Sequence, residues 1–362
     1  MTIHVVLTGG GSAGHVNPNL ALIDALESKG CRLDYIGSET GVEREMITKR
    51  RIPYHAVRSG KLRRYFSWQN FIDPFNLVIG CFQAYFLLYR LKPQVVFSKG
   101  GFVALPVVLS AWLHRIPVIA HESDLTPGLA NRLSLAFIDT LCVTFSGSKA
   151  HIQDQTKIRV TGTPIRESLL QGSAQKGLSL CGFEQTKPCL LVIGGSQGAQ
   201  VINRCVREML QELTVNFQVI HLCGKGHLDK KLEHQSGYRQ FEYAHEDLPH
   251  LFAASSLVIS RAGANAIYEI LALGKPHILV PLSRRSSRGD QIENARYFKQ
   301  QGISLVIEEE SLTPATLRTA LDQLLASSEQ RIAKIRALEI KSATDTIVKL
   351  ILDKASLSQE KA

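Results

Sequence analysis

Two glycine-rich segments constrain the fold of this chain more than any other feature. Each follows an apolar run typical of a buried parallel strand and precedes a helical pattern: residues 9–14 (GGGSAG) follow residues 3–7, and residues 194–199 (GGSQGA) follow residues 190–193. Such a strand–loop–helix unit directs backbone N–H groups and a helix N-terminus toward a phosphate or another developing anion. Two of them in 362 residues predict an α/β protein with two related, doubly wound parallel-sheet domains that face each other across a central cleft.

The other patterns alternate between strand and helix, which is typical of parallel sheets covered by helices on both faces. The first helix is predicted to start near Asn17, and another to cover residues 199–213. Glycines and prolines break the alternation over residues 161–187, so the sequence predicts a boundary there. We place the N-terminal domain at residues 1–163 and the C-terminal domain at residues 164–341.

Composition narrows the class of partner. The formal net charge of +10 and the pI near 9.3 favour an anionic partner, which could be nucleic acid, anionic lipid or a phosphorylated substrate. The seven cysteines are scattered without a C-x-x-C pair, a pattern that fits reduced thiols in a cytosol better than disulfides or a zinc site. We expect no signal peptide, and no apolar run reaches the ~18 residues of a membrane-spanning helix.

Polar residues that could carry chemistry follow several predicted strands at their carboxyl ends, where ligands bind in open parallel sheets. His15 directly follows the first glycine loop, and an imidazole that titrates near neutrality there could accept a proton from a hydroxyl. His121 and Glu122 end an apolar strand, where two polar groups need partners. A third glycine turn at residues 261–264 opens a helix that carries Glu269, a carboxylate suited to the vicinal hydroxyls of a sugar. A purely structural role stays open for each of these residues.

A long helix predicted over residues 75–91 is apolar nearly all round and rich in aromatic residues. Basic residues flank it on both sides, and Trp112 recurs at the end of the next helix. Two interpretations stay open: a core helix, or an interfacial patch that docks on anionic lipid. The patch would comprise Phe75, Phe82, Phe86 and Trp112, with Arg63, Arg64, Arg90 and Lys92 beside it.

Taken together, these motifs resemble the MurG family of bacterial peptidoglycan N-acetylglucosaminyltransferases from residue 9 to about residue 302. The resemblance rests on their order along the chain: GGGSAGHVNP at 9–18, GGF at 100–102, HE at 121–122, GTPIR at 162–166, GGSQGA at 194–199, RAGA at 261–264, Glu269 and Gln291. It implies the GT-B fold, in which two Rossmann-like domains flank the cleft. It also implies that a C-terminal helix, at about residues 342–355, packs back on the N-terminal domain.

The resemblance further implies inverting transfer of N-acetylglucosamine from UDP-GlcNAc to the 4-hydroxyl of MurNAc-pentapeptide on undecaprenyl diphosphate, which converts lipid I to lipid II. The implied setting is peptidoglycan synthesis, with its links to cell shape and division, by a peripheral protein on the cytoplasmic face of the plasma membrane. The implied partners are UDP-GlcNAc, lipid I, an anionic membrane surface and other cell-wall synthesis or division proteins. No cofactor, metal ion or nucleic acid is implied, and the chain contains no Asp-x-Asp motif.

The resemblance also implies roles for individual residues. His15 is the candidate catalytic base, and Glu122 is the second candidate on the acceptor side. For the donor, the loop with Ser196 holds the diphosphate, Arg166 assists it, and Glu269 binds the ribose. The segment around Ala244 meets the uracil through backbone groups, and Gln291 contacts the donor sugar. The other donor-binding candidates are Gly11, Ser12, Ala13, Gly14, Asp124, Gly194, Gln197, Gly198, Arg261, Gly263, Ala264 and Asp290.

This chain departs from the family pattern at three candidate residues, of which Ala13 stands where the family has glycine after the Thr or Ser of the first loop. Asp124 stands where the family has asparagine in His-Glu-Gln-Asn, and Asp290 stands where a glutamine is common. Other functions also stay open at this point. One is another lipid-acceptor UDP-sugar glycosyltransferase, and a second is a NAD(P)-binding oxidoreductase, because residues 9–14 also satisfy G-x-G-x-x-G. A nucleotide-sugar epimerase and a UDP-sugar-binding membrane adaptor are further alternatives.

Overall fold

The computed structural model describes residues 2–60, 69–195 and 198–359, and the chain divides into two compact units. Unit 1 comprises Met1–Arg166 and Ser342–Ala362, and unit 2 comprises Glu167–Lys341. The division follows Arg166, whereas the sequence analysis placed the boundary after residue 163. Four residues named above lie outside the described ranges: Arg63, Arg64, Ser196 and Gln197.

Unit 1 contains a parallel sheet of seven strands in the order β3-β2-β1-β4-β5-β6-β7. Along β1, Val5 and Leu7 face one apolar cluster while Val6 faces the other, because side chains alternate between the two faces of a strand. The order reverses at β1, so the crevice between the ends of β1 and β4 is the place where an open sheet binds ligands. The strands are β1 His4–Thr8, β2 Arg32–Gly37, β3 Tyr54–Ala56, β4 Val95–Ser98, β5 Val118–Glu122, β6 Thr140–Val143 and β7 Ile158–Val160.

In the described part of unit 1, five helices lie between these strands, and the first begins earlier than the sequence predicted. It begins at Ala13 rather than near Asn17, so His15 lies in its first turn instead of in the loop before it. The expectation failed because glycine at position 14 reads as a loop residue, although a first turn tolerates it. The helices are α1 Ala13–Ser28, α2 Val42–Thr48, α3 Gln69–Leu91, α4 Ala104–Leu113 and α5 Leu129–Ser134.

Unit 2 repeats the arrangement with a six-stranded parallel sheet in the order β10-β9-β8-β11-β12-β13. The order reverses at β8, so the second glycine loop follows a strand placed like β1 in unit 1. The strands are β8 Cys189–Ile193, β9 Gln218–Leu222, β10 Tyr238–Phe241, β11 Ser255–Ser260, β12 His277–Leu279 and β13 Leu305–Val306.

The helices of unit 2 include two features that the sequence analysis missed. A helix forms over Ala174–Cys181, inside the segment read as irregular, because its Gly177 fits against a neighbouring helix: an added Cβ would lie 2.1 Å from the His250 carbonyl oxygen. The single helix predicted over residues 199–213 is two helices that meet at Met209. The full set is α6 Glu167–Leu170, α7 Ala174–Cys181, α8 Gln200–Glu208, α9 Leu210–Asn216, α10 Leu248–Ala254, α11 Ala264–Ala272, α12 Asp290–Gln300, α13 Pro314–Ala326 and α14 Ser328–Ala337.

The last helix, α15 Thr344–Gln359, belongs to unit 1. Its apolar stripe of Ile347, Ile351 and Ala355 is fully buried in the same cluster as the first strand and α1. The chain enters unit 1 again beside the GTPIR segment, where the Ser342 hydroxyl donates to the Ile165 carbonyl (3.0 Å) and accepts from the Ile165 N–H (3.0 Å). Short 3-10 turns lie at Leu135–Phe137, Ser146–His151, Lys230–Leu232, His245–Asp247 and Glu309–Ser311.

Candidate active site

His15 stands at the reversal point of the unit 1 sheet. Its Nδ1 lies 3.1 Å from the Ser12 hydroxyl oxygen, and its backbone N–H donates to the Ser12 carbonyl (3.0 Å). When Nδ1 carries the proton and donates to Ser12, Nε2 carries the lone pair that a general base needs. The pKa of His15 is lowered to about 4, first by burial and then by the Lys99 cation, while Glu122, the Gly10 carbonyl and Glu43 act in the opposite direction. The expectation of an ordinary titration near neutrality is therefore wrong, although the imidazole is neutral at pH 7.

Lys99, which the sequence placed at a strand end but to which no role was assigned, directly follows β4. Its side chain is buried, and its Nζ donates to the Ser123 hydroxyl (2.6 Å). Burial lowers the pKa of Lys99 to about 8, although Glu122 and Asp124 favour its charged form. A lysine set directly between the apolar strand VVFS and two glycines was the signal in the sequence that pointed to it.

Glu122 is buried at the end of β5 and is engaged by the loop that follows it. Its carboxylate accepts from the N–H groups of Asp124 (3.0 Å) and Gly128 (2.8 Å) and from the Asn131 amide (2.9 Å). These three donors hold the carboxylate in one orientation. Glu122 is therefore better placed to fix the conformation of this loop than to accept a proton. Its neighbour His121 donates from Nε2 to the Gly162 carbonyl (2.8 Å).

A buried carboxylate on α2 holds the first glycine loop in place. Glu43 accepts from the Gly11 N–H (3.1 Å) and from the Ser38 N–H (3.1 Å). An added Cβ at Gly10 would lie 2.3 Å from that carboxylate, so a larger residue there would displace the Glu43 side chain. The Gly11 N–H, predicted to face a donor, is thus paired with the protein itself. Ser12 contacts His15, and Ala13 and Gly14 begin α1.

The predicted donor residues of unit 2 that the structure describes follow the strands β8, β10, β11 and β12 along the chain. Gly198 has φ +75°, and an added Cβ would lie 2.1 Å from the Cys223 carbonyl oxygen; at Gly194 it would lie 2.5 Å from the Ala199 nitrogen. These glycines let the loop turn tightly into α8. Gly263 and Ala264 likewise open α11, on which Glu269 is half-buried.

Several predicted donor residues are already engaged by protein groups. Arg261 pairs with Glu309 and donates to the Val280 carbonyl (3.2 Å), so its guanidinium is committed to the fold. The Gln291 carbonyl oxygen accepts from the N–H groups of Leu282 (3.0 Å) and Ala262 (3.3 Å), and it thereby joins the loops after β11 and β12. The two carboxylate oxygens of Asp290 lie 2.7 and 2.8 Å from Arg288 Nε. The Ala244 carbonyl accepts from Asp247 (2.6 Å) and Leu248 (3.1 Å), so only its N–H could serve a base.

Arg166 differs from these residues. Its Nε is buried and has no hydrogen-bond partner in the part of the chain that the structure describes. A buried donor without a partner is uncommon, because it forfeits its bonds to water. Such a group is suited to an anionic ligand. No set of three or more His, Cys, Asp or Glu side chains within residues 2–60, 69–195 and 198–359 could hold a metal ion.

The aromatic face of α3 is open to solvent. Phe75 is 72% exposed, Phe82 63% and Phe86 65%, and Trp112 on α4 is 52% exposed. The opposite side of α3, with Ala84 and Leu88, is buried. The core-helix interpretation therefore holds for one side of α3 only, and the other side leaves several large aromatic side chains exposed. Within the described ranges, no helix has the length and apolarity to cross a membrane.

Comparison with known proteins covers nearly the whole chain. Residues 5–143 match the glycosyltransferase family 28 N-terminal domain, and residues 189–350 match the glycosyltransferase family 28 C-terminal domain. The chain is 59% identical over 355 residues to a UDP-N-acetylglucosamine--N-acetylmuramyl-(pentapeptide) pyrophosphoryl-undecaprenol N-acetylglucosamine transferase of Legionella pneumophila (strain Lens), a match that spans 98% of each chain. A relative of the same name from Clostridium kluyveri is 53% identical over 347 residues, which are 96% of this chain and 98% of the relative. A crystal structure of Acinetobacter baumannii MurG aligns with TM-score 0.76 at 25% identity, covering 97% of this chain and 99% of that one.

Proposed function

Because the chain belongs to the MurG transferases of glycosyltransferase family 28, we propose that it transfers N-acetylglucosamine from UDP-GlcNAc to the 4-hydroxyl of MurNAc-pentapeptide on undecaprenyl diphosphate. The observation that carries the proposal is the 59% identity to a relative of that name over 98% of both chains. The two parallel sheets with paired glycine loops fit the GT-B fold of such enzymes. The family decides against the oxidoreductase alternative.

The proposed reaction is a single displacement. The acceptor 4-oxygen bonds to the anomeric carbon of N-acetylglucosamine while the bond from that carbon to the UDP oxygen breaks, and the configuration inverts. The hydroxyl proton passes to Nε2 of His15, with the opposite ring nitrogen held by Ser12 at 3.1 Å. The glycine loop that enters α8 and the buried Nε of Arg166 supply positive potential for departing UDP. The proposal includes no cofactor and no metal ion.

The proposed location is the cytoplasmic face of the plasma membrane, with the exposed aromatic face of α3 as the docking surface. Arg90 and Lys92 follow this face, and their charge suits anionic headgroups. A surface of this kind would bring the enzyme to an acceptor that cannot leave the bilayer. Contacts with other cell-wall synthesis or division proteins remain part of the expectation.

The test is transfer of radiolabelled N-acetylglucosamine from UDP-GlcNAc by the full chain. Parallel reactions contain a lipid I analogue, diacylglycerol or no acceptor, and UDP-glucose replaces UDP-GlcNAc in a matched set. Product from UDP-GlcNAc and the lipid I analogue alone is the expected result. Product on diacylglycerol would favour the other lipid-acceptor transferase, and UDP-GlcNAc binding without any product would contradict an enzymatic role.

Replacing Phe82 and Phe86 by serine is expected to lower binding to vesicles that contain anionic lipid by ~10-fold or more, because two exposed aromatic side chains each contribute apolar area on insertion. Vesicle sedimentation measures the effect. Val215→Ser, at a side chain 66% exposed on α9, is the matched control and should bind as the wild type does. Equal binding by the double variant would remove this face from the proposal.

A further inference from the structure

The buried ammonium group of Lys99 has no role in the reaction described so far. The side chain is 1% exposed, and a cation in a protein interior is unfavourable unless other charges and hydrogen bonds compensate it. The compensation comes from the polypeptide after β5: Ser123 accepts its hydrogen bond at 2.6 Å, and Glu122 and Asp124 supply negative charge.

The backbone fixes Lys99 against the glycine loop that carries His15. Its N–H donates to the Thr8 carbonyl (2.8 Å), and its Cβ would lie 2.9 Å from a Cβ added at Gly9. The side chain therefore joins two segments, the loop before α1 and the loop after β5. Because Lys99 is buried, its ammonium does not reach a substrate, and any influence on the reaction passes through its neighbours.

The charged groups that face His15 come from three elements. Lys99 follows β4, Glu122 ends β5, and Glu43 lies on α2, with the Gly10 carbonyl completing the set. Lys99 is the cation among them, and it opposes protonation of the imidazole while both carboxylates favour it. Lys99 in turn faces Glu122 and Asp124.

We propose that Lys99 is a positioning residue of the transferase. Its buried ammonium group disfavours protonation of His15, and it holds the loop that contains Ser123 and Asp124 in place beside the lysine. This role rests on the proposed function only in its kinetic part. Its electrostatic part is a property of the protein without substrates.

The direction of the effect is fixed by charge. Loss of the Lys99 cation removes its repulsion of the protonated imidazole, while Glu122 and Glu43 continue to favour protonation. The pKa of His15 therefore rises above its value of about 4. Since a base acts in its neutral form, the acidic limb of the activity profile moves to higher pH in such a variant.

The first readout is nuclear magnetic resonance of histidine-labelled full-length protein without substrates, with the His15 signal assigned by its loss in His15→Gln. We expect the titration midpoint of His15 to rise by about one pH unit or more in Lys99→Met. Lys99→Arg retains the charge and should keep a low midpoint. Ser123→Ala removes the hydrogen bond but not the charge, so it should also keep the midpoint low.

A wild-type midpoint near 6.5, or an unchanged midpoint in folded Lys99→Met, would overturn the inference. Lys99→Gln serves as a second neutral variant, with circular dichroism as the check on folding. If neither neutral variant folds, Lys99 is a residue of the fold alone, and the inference fails.

The second readout is the pH profile of kcat/KM for transfer to the lipid I analogue. Relative to the wild type, Lys99→Met should lose activity more at pH 5 than at pH 8, whereas a purely structural defect lowers both equally. Absence of transfer by the wild type would contradict the proposed function and leave the magnetic resonance result to decide on Lys99.

Discussion

Replacing His15 with alanine is expected to lower kcat for N-acetylglucosamine transfer by ~10² to 10⁴-fold, the range that general bases commonly contribute. The loss should fall on kcat and spare binding of UDP-GlcNAc, because the imidazole is proposed to contact the acceptor hydroxyl. Radiolabel transfer to the lipid I analogue measures the first quantity, and calorimetry with UDP-GlcNAc measures the second.

The pH profile separates a base from a merely structural histidine. With a pKa of about 4, the imidazole stays neutral down to about pH 5, so the contribution of His15 should be lost only as the pH falls toward that pKa. His15→Gln keeps a polar group beside Ser12 but cannot accept the proton, and it should be as impaired as alanine. His234→Ala, at an exposed position of unit 2, is the control. Full activity in His15→Gln would show that the base is a group other than His15.

Replacing Arg166 with methionine is expected to lower kcat/KM by ~10² to 10³-fold, the usual loss when one group that stabilises developing charge is removed. Methionine keeps much of the length and apolar character of the side chain but removes the buried Nε that lacks a protein partner. Affinity for UDP should fall as well, because the diphosphate is the anion that this donor is proposed to bind.

The control for Arg166 is Arg159→Met, an exposed arginine on β7 of the same unit. It changes the net charge by the same amount without touching the GTPIR segment. If both variants lost activity equally, the effect would be general electrostatics and the specific contact would be disproved. Unchanged UDP affinity together with lowered thermal stability in Arg166→Met would assign the residue to the fold.

The sheets were predictable because apolar runs and glycine loops are local signals. The order of β1 and β4 around the reversal point, and that of β8 and β11, follows from the general rules for alternating strands and helices. The start of α1 and the existence of α7 were missed, because glycine at positions 14 and 177 indicates a loop until the packing that requires it is known.

The chemistry of the site was less predictable than its place. Motif order indicated His15 and Glu122, yet two groups that affect the pKa of His15, Lys99 and Glu43, come from other segments of the chain, and the sequence does not show that they act on it. Arg261 looked like an anion-binding residue until the structure placed Glu309 against it. Long-range pairing of this kind is set by tertiary packing, and spacing along the chain does not reveal it.

The return of α15 to unit 1 has a consequence for the order of events during synthesis on the ribosome. The first strand and α1 emerge early, but the helix that covers their apolar side is translated after all of unit 2. Unit 1 therefore cannot complete its core until the end of the chain has been synthesised, and until then the apolar side of the first strand and α1 stays uncovered. A chain cut short by premature termination would keep this apolar side exposed to chaperones and proteases. The last helix therefore covers it only in complete molecules.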